Sequence, residues 1–171
     1  SLTKIMPSLL LPLLIVHFLS PSHGAYFYIV WMISTLLFTI ATSLSSNLLY
    51  LSDITKFKKA YLYSSLILIC GIIGIFIFGK TILQIFGEEY IVALDLLYFF
   101  AVSAIPHSLR LLYQSKLEVL GKVKKVLFMN ATVLIITIVG SILFLQYGLV
   151  YVGVFWLVGN LLALLIGKVA K

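Results

Sequence analysis

Ser103, His107, Arg110 and Gln114 fall at spacings of three and four residues, which places them on one face of a helix. The residues between them are mostly apolar, and Pro106 sits beside the histidine. A guanidinium is a planar fork of N–H donors that matches carboxylate and phosphate oxygens bidentately. An imidazole one turn away adds a second donor or a titratable neighbour. Proline lacks an N–H, so Pro106, and Pro12 in the first apolar run, mark points where a helix hinges and a carbonyl is freed. A second polar face, Thr35, Thr39, Thr42, Ser43, Ser46 and Asn47, recurs with the same period earlier in the chain. Together the two faces point to a shared wet cavity, with Arg110 and His107 for an anion and hydroxyls and amides for a polar ligand. A plainer reading stands beside each. Small hydroxyl residues also let helices pack closely, and Arg110, six residues before Lys116, is placed to snorkel to an interface.

The elements that must carry these faces follow from composition. Of 171 residues, 63% are hydrophobic and 10% charged, with a mean hydropathy of +1.20. Soluble domains average about 25% charged residues, so this chain cannot cover a water-facing surface. A single cysteine, Cys70, excludes an internal disulfide framework and a cysteine-based zinc site. The apolar runs lack the two-residue alternation of barrel strands. They predict an all-α, polytopic bundle of six transmembrane helices at about 5–19, 25–51, 60–86, 89–120, 123–146 and 149–169, forming one domain over 1–171. Ser20-Pro21-Ser22-His23-Gly24 reads as the first loop and Glu88-Glu89 as the acidic first turn of helix four. Because the chain starts at Ser1 just before a helix, it reads as a segment of something longer.

Lysines set the orientation. Ten of them (Lys4, Lys56, Lys58, Lys59, Lys116, Lys122, Lys124, Lys125, Lys168 and Lys171) flank helices at one end, and Lys80 alone falls at the other. The positive-inside rule then places both termini in the cytoplasm. The net charge of +7 is a topology signal directed at anionic lipid headgroups, and lysines split among short loops give no support to a nucleic-acid partner. Asp95 is either interfacial or a partner for a cation, and is the one candidate for ion coupling. Tyr26, Tyr28, Trp31, Tyr147, Tyr151 and Trp156 read as an aromatic belt at the opposite end. Gly71, Gly74 and Gly140-Ser141 read as helix-packing positions. His17 reads as a satisfied helix-end residue. Asn130 and Asn160 read only as helix bridges. No zincin, nucleophile-elbow or phosphate-loop motif is present in the sequence, so an enzyme is not expected, and neither a metal nor a cofactor is implied.

Several short motifs resemble one family. Leu83-Gln84-Ile85-Phe86-Gly87-Glu88-Glu89-Tyr90, followed by Ala93 and Leu96-Leu97, resembles the F-G-x-x-Y…A…L junction of polysaccharide flippases. These are the O-antigen and teichoic-acid exporters of the multidrug/oligosaccharidyl-lipid/polysaccharide superfamily. Gly121-Lys122 is similar to that family's L…G-K loop, and Gln146-Tyr147-Gly148-Leu149-Val150-Tyr151-Val152-Gly153 to its Y-G-x-x-G turn. The resemblance implies one six-helix half, the C-terminal one, of a transporter with twelve to fourteen helices. It further implies a central cavity completed by the remaining half or a second copy, and flipping of a lipid-linked oligosaccharide in the cytoplasmic membrane of a prokaryote. Arg110→Ala is then expected to abolish flipping while leaving folding and insertion intact. The competing expectations are a cation-coupled multidrug exporter of the same superfamily and a non-transporting scaffold of a polysaccharide-assembly complex.

Overall fold

The computed structural model describes residues 2–48 and 54–169. They form six α-helices: α1 (Leu2–Phe18), α2 (Pro21–Leu48), α3 (Ile54–Phe86), α4 (Leu94–Val119), α5 (Val123–Phe144) and α6 (Val150–Val169). Short 3-10 segments, Glu88–Ala93 and Leu145–Tyr147, precede α4 and follow α5. Five helices, α2 to α6, are long and apolar enough to cross a membrane. The chain is a multi-pass helical membrane protein. The first helix is the shortest: α1 has 17 residues, and among the described residues its apolar stretch is Leu9–Phe18. At 1.5 Å per residue that stretch covers about 15 Å, half of a hydrocarbon core of about 30 Å.

α4 sits in the middle. It packs most extensively on α6 and then on α2, and α6 also pairs closely with α5. α3 lies at the edge against α2 and α4, with Leu68, Ile72, Ile75 and Leu83 buried and most of its other described side chains facing outward. Such exposed leucines, isoleucines and phenylalanines are what a lipid-facing surface requires. The α1–α2 turn, the start of α4 and the α5–α6 turn meet at one end, where Tyr26 and Tyr90 pack edge to face at 5.1 Å. Lys116, Lys122, Lys124, Lys125 and Lys168 gather at the opposite end.

The first turn is tighter than the sequence reading proposed. Residues 21–24 are not loop but the first turn of α2, joined to α1 through Leu19 and Ser20 alone. Ser20 Oγ accepts the N–H of His23 at 3.3 Å, and Pro21 takes the first helical position, where its missing N–H costs nothing. Glu88 and Glu89 open the 3-10 segment rather than α4, after Gly87 with φ of 141°. α4 ends in a Schellman motif: the Lys122 N–H reaches Leu117 O at 2.9 Å and the Gly121 N–H reaches Glu118 O at 3.0 Å. Gly121 holds φ of 68°, a conformation that a side chain would strain.

Two residues assigned to an aromatic belt belong instead to the core. Trp31 and Trp156 meet at 5.1 Å inside the bundle, with Phe27, Phe38 and Phe100 around them. Trp156 lies more than a turn inside α6, so α2, α4 and α6 close over it. The expected glycine seam holds in part. A Cβ on Gly140 would fall on the Phe155 ring, whereas one on Gly74 would meet nothing within 4 Å. The α5–α6 contact rests also on Gly159, Ala163 and Gly167, small residues every four positions, which is the spacing that lets membrane helices approach.

Candidate functional site: a buried arginine between three helices

Arg110 is 5% exposed. It neither snorkels nor opens onto a cavity wall. Its Nε donates to Asn160 Oδ1 of α6 at 2.9 Å, and its Nη1 donates to Asn130 Oδ1 of α5 at 2.9 Å and to Gln114 Oε1 at 3.2 Å. One guanidinium therefore ties α4, α5 and α6 together. His107 Nδ1 lies 3.1 Å from Asn160 Oδ1 and 3.4 Å from Arg110 Nη2. The amide oxygen and the guanidinium make opposite demands on that nitrogen: protonated, Nδ1 donates to Asn160 Oδ1, and bare, it accepts from Arg110 Nη2, the shorter contact being the one to Asn160. Asn160 Nδ2 donates back to Trp156 O at 2.8 Å, and Gln114 Nε2 donates to Glu118 Oε1 at 2.9 Å. The His107 ring packs against Phe38 at 4.8 Å and Trp156 at 6.0 Å, so the aromatic core closes one side of the group.

The electrostatics are lopsided. Among the described residues Arg110 makes no ion pair, and the atoms it touches are uncharged. Asn130 Nδ2 and Trp156 Nε1 are further buried donors without an acceptor. The cluster therefore holds a positive charge and more donors than acceptors. A buried cation and buried donors of this kind carry a desolvation cost that an anion would offset. No group of three or more potential metal ligands occurs among the described residues.

The other candidates lie elsewhere. Ser103 is buried on the same α4 face, but its Oγ donates to Phe100 O at 2.7 Å and does not join Arg110. Thr35, Thr39 and Thr42 are exposed on α2 and donate to the carbonyls of Trp31, Thr35 and Thr39 at 2.8, 2.8 and 2.9 Å. Ser43 is exposed too, and the side chains of Ser46 and Asn47 lie outside the described part. The two polar faces thus do not share one cavity. The inward face of α2 is Phe27, Val30, Ser34, Leu37 and Phe38, and the threonines sit beside it around the helix. Asp95 is exposed in the first turn of α4, about 22 Å along the axis from Arg110. It lines a cleft of about 220 Å³ with His23 and residues 148–150. His17 is exposed and packs edge to face on Phe18. Pro106 is buried within a continuous α4, and Pro12 is half-buried within α1.

Asn130 and Asn160 are the partners that helical periodicity did not single out. A depth count would have found them. Arg110 stands nine residues before Val119, Asn160 nine before Val169 and Asn130 seven after Val123, all measured from the lysine-rich end. At 1.5 Å per residue the three lie within about 3 Å of one depth. Comparison with protein-family models, with curated proteins and with solved structures finds no match.

Proposed function

We propose that this multi-pass membrane protein flips an anionic, sugar-bearing lipid, a lipid-linked oligosaccharide or polysaccharide precursor, across the cytoplasmic membrane of a prokaryote by alternating access. The observation that carries this reading is the uncompensated Arg110, sealed in the bundle with surplus N–H donors around it. Charge inside a membrane is costly and by default marks a substrate or ion path. A phosphate is the ligand whose charge and oxygen geometry answer a guanidinium and amide donors together. The exposed hydroxyls of Thr35, Thr39, Thr42 and Ser43 supply the second requirement, a polar strip along a spanning helix for sugar hydroxyls. The 83–97 and 146–153 motifs, which resemble polysaccharide flippases, support the same reading.

In this reading the bundle is one half of a larger transporter, completed by a remaining half or a second copy, with both termini cytoplasmic. Access to Arg110 requires α4 to move relative to α5 and α6, with Pro106 as the hinge. No covalent chemistry and no cofactor are involved. The cation-coupled exporter is less well supported, because Asp95 is exposed at a helix end rather than inside the bundle. The hydrogen bonds that Arg110 donates to three amide oxygens favour one second reading, a scaffold in which the arginine only locks helices. The full-length protein in vesicles separates these. A flippase moves a fluorescent pyrophosphate-linked oligosaccharide lipid between leaflets and discriminates against a glycolipid without the pyrophosphate. A scaffold leaves both at the protein-free rate.

A further inference from the structure

A groove of about 250 Å³ runs between α5 and α6 at the lysine-rich end, lined by Lys124, Lys125, Phe128, Met129, Ile166 and Gly167. Its floor and walls are apolar, and its charge is confined to two lysines from the first turn of α5. The groove follows from sequence. Gly167 presents no side chain, and a Cβ there would stand 2.9 Å from Met129 Cε. Residues 124 and 128 are one turn apart and share a face, so a cation and an aromatic ring flank the same channel.

We propose that this groove holds an anionic glycerophospholipid from the adjoining leaflet, one acyl chain against Phe128, Met129 and Ile166 and the phosphate at Lys124 and Lys125. Charge complementarity selects the occupant. Lys122 and Lys168, at positions next to the two walls, are exposed, so the rim is cationic. The phosphate also meets the positive end of the α5 dipole, where Lys122 makes no side-chain cap. A free phosphate leaves the apolar half empty, and a zwitterionic headgroup brings its own cation to the cationic rim. The inference depends only on the membrane-spanning fold and is independent of the cargo.

The test is native mass spectrometry of the full-length protein in detergent, titrated with phosphatidylglycerol or phosphatidylcholine. Phosphatidylglycerol is expected to be retained in preference, with no displacement by millimolar inorganic phosphate. Lys124→Gln/Lys125→Gln is expected to weaken that retention about 25-fold, roughly fivefold per lysine. Lys80→Gln, at a lysine near the other end, is expected to leave it unchanged, and Lys124→Arg/Lys125→Arg to preserve it. Equal retention of the two lipids, full retention by the glutamine variant, or displacement by inorganic phosphate would each overturn the assignment.

Discussion

Arg110→Ala is expected to lower the stability of the bundle by about 3 kcal/mol, measured as a shift in thermal unfolding of the detergent-solubilised protein. The change strips donors from Asn130 Oδ1 and Gln114 Oε1, takes one of two from Asn160 Oδ1, and opens a void at the meeting of three helices. Each unsatisfied buried acceptor costs about 1–3 kcal/mol in soluble proteins. In membranes, where the separated helices find other partners, the average is nearer 0.6 kcal/mol per bond. Two stripped oxygens, a weakened third and a cavity term sum to the stated size. This replaces the expectation that Arg110→Ala would spare folding, which assumed a side chain standing free in a cavity. The apolar triple Arg110→Met/Asn130→Leu/Asn160→Leu removes the charge and two of its three amide partners, leaving only Gln114 Oε1 and the His107 ring without their former partners. It is expected to regain part of the loss, because breaking a buried polar cluster costs more than replacing its members with apolar residues. Translocation should not return with stability in that triple. A triple as unstable as the single variant would contradict the assigned hydrogen bonding.

Gly140→Leu is expected to cost about 3 kcal/mol by the same measurement, since its side chain must enter space filled by the Phe155 ring. α5 and α6 would have to part along the seam that also carries Asn130 and Asn160. Gly74→Ala is its control. Nothing lies within 4 Å of a Cβ there, so the substitution should be neutral or stabilising by up to about 1 kcal/mol through helix propensity. If Gly140→Leu proves as mild as Gly74→Ala, the α5–α6 seam is not packed as described.

These cases show what a one-dimensional pattern carries. The all-α membrane class and the helices followed from apolar runs, because hydrocarbon leaves a chain few other options. The shared face of Ser103, His107, Arg110 and Gln114 followed from helical period, which is local. What Arg110 touches did not, since no spacing rule links position 110 to 130 or 160. Only a count of depth from a common membrane surface brings them together. The threonine face of α2 was legible as a face, but its rotation relative to α4 was not. That rotation is fixed by Phe27, Trp31 and Phe38 packing on Phe100 and Trp156. α2 starts four residues before its apolar run, and the signal for that start is present in the sequence. Ser-Pro is a helix-opening pair as well as a loop pair, and Ser20 decides it by capping the His23 N–H.

In the proposed flippase α2 lines a polar path while the arginine cluster stays sealed behind it. The most direct measurement is labelling by a membrane-impermeant thiol reagent in intact membranes, after replacing the exposed Cys70 by alanine. Single cysteines go at Thr39, exposed on α2, and at Ser103, fully buried on the inner face of α4. Thr39→Cys is expected to react and Ser103→Cys to stay protected until the protein is unfolded. Protection at Thr39 would place that face in lipid and contradict the path, and ready labelling at Ser103 would contradict the sealed interior.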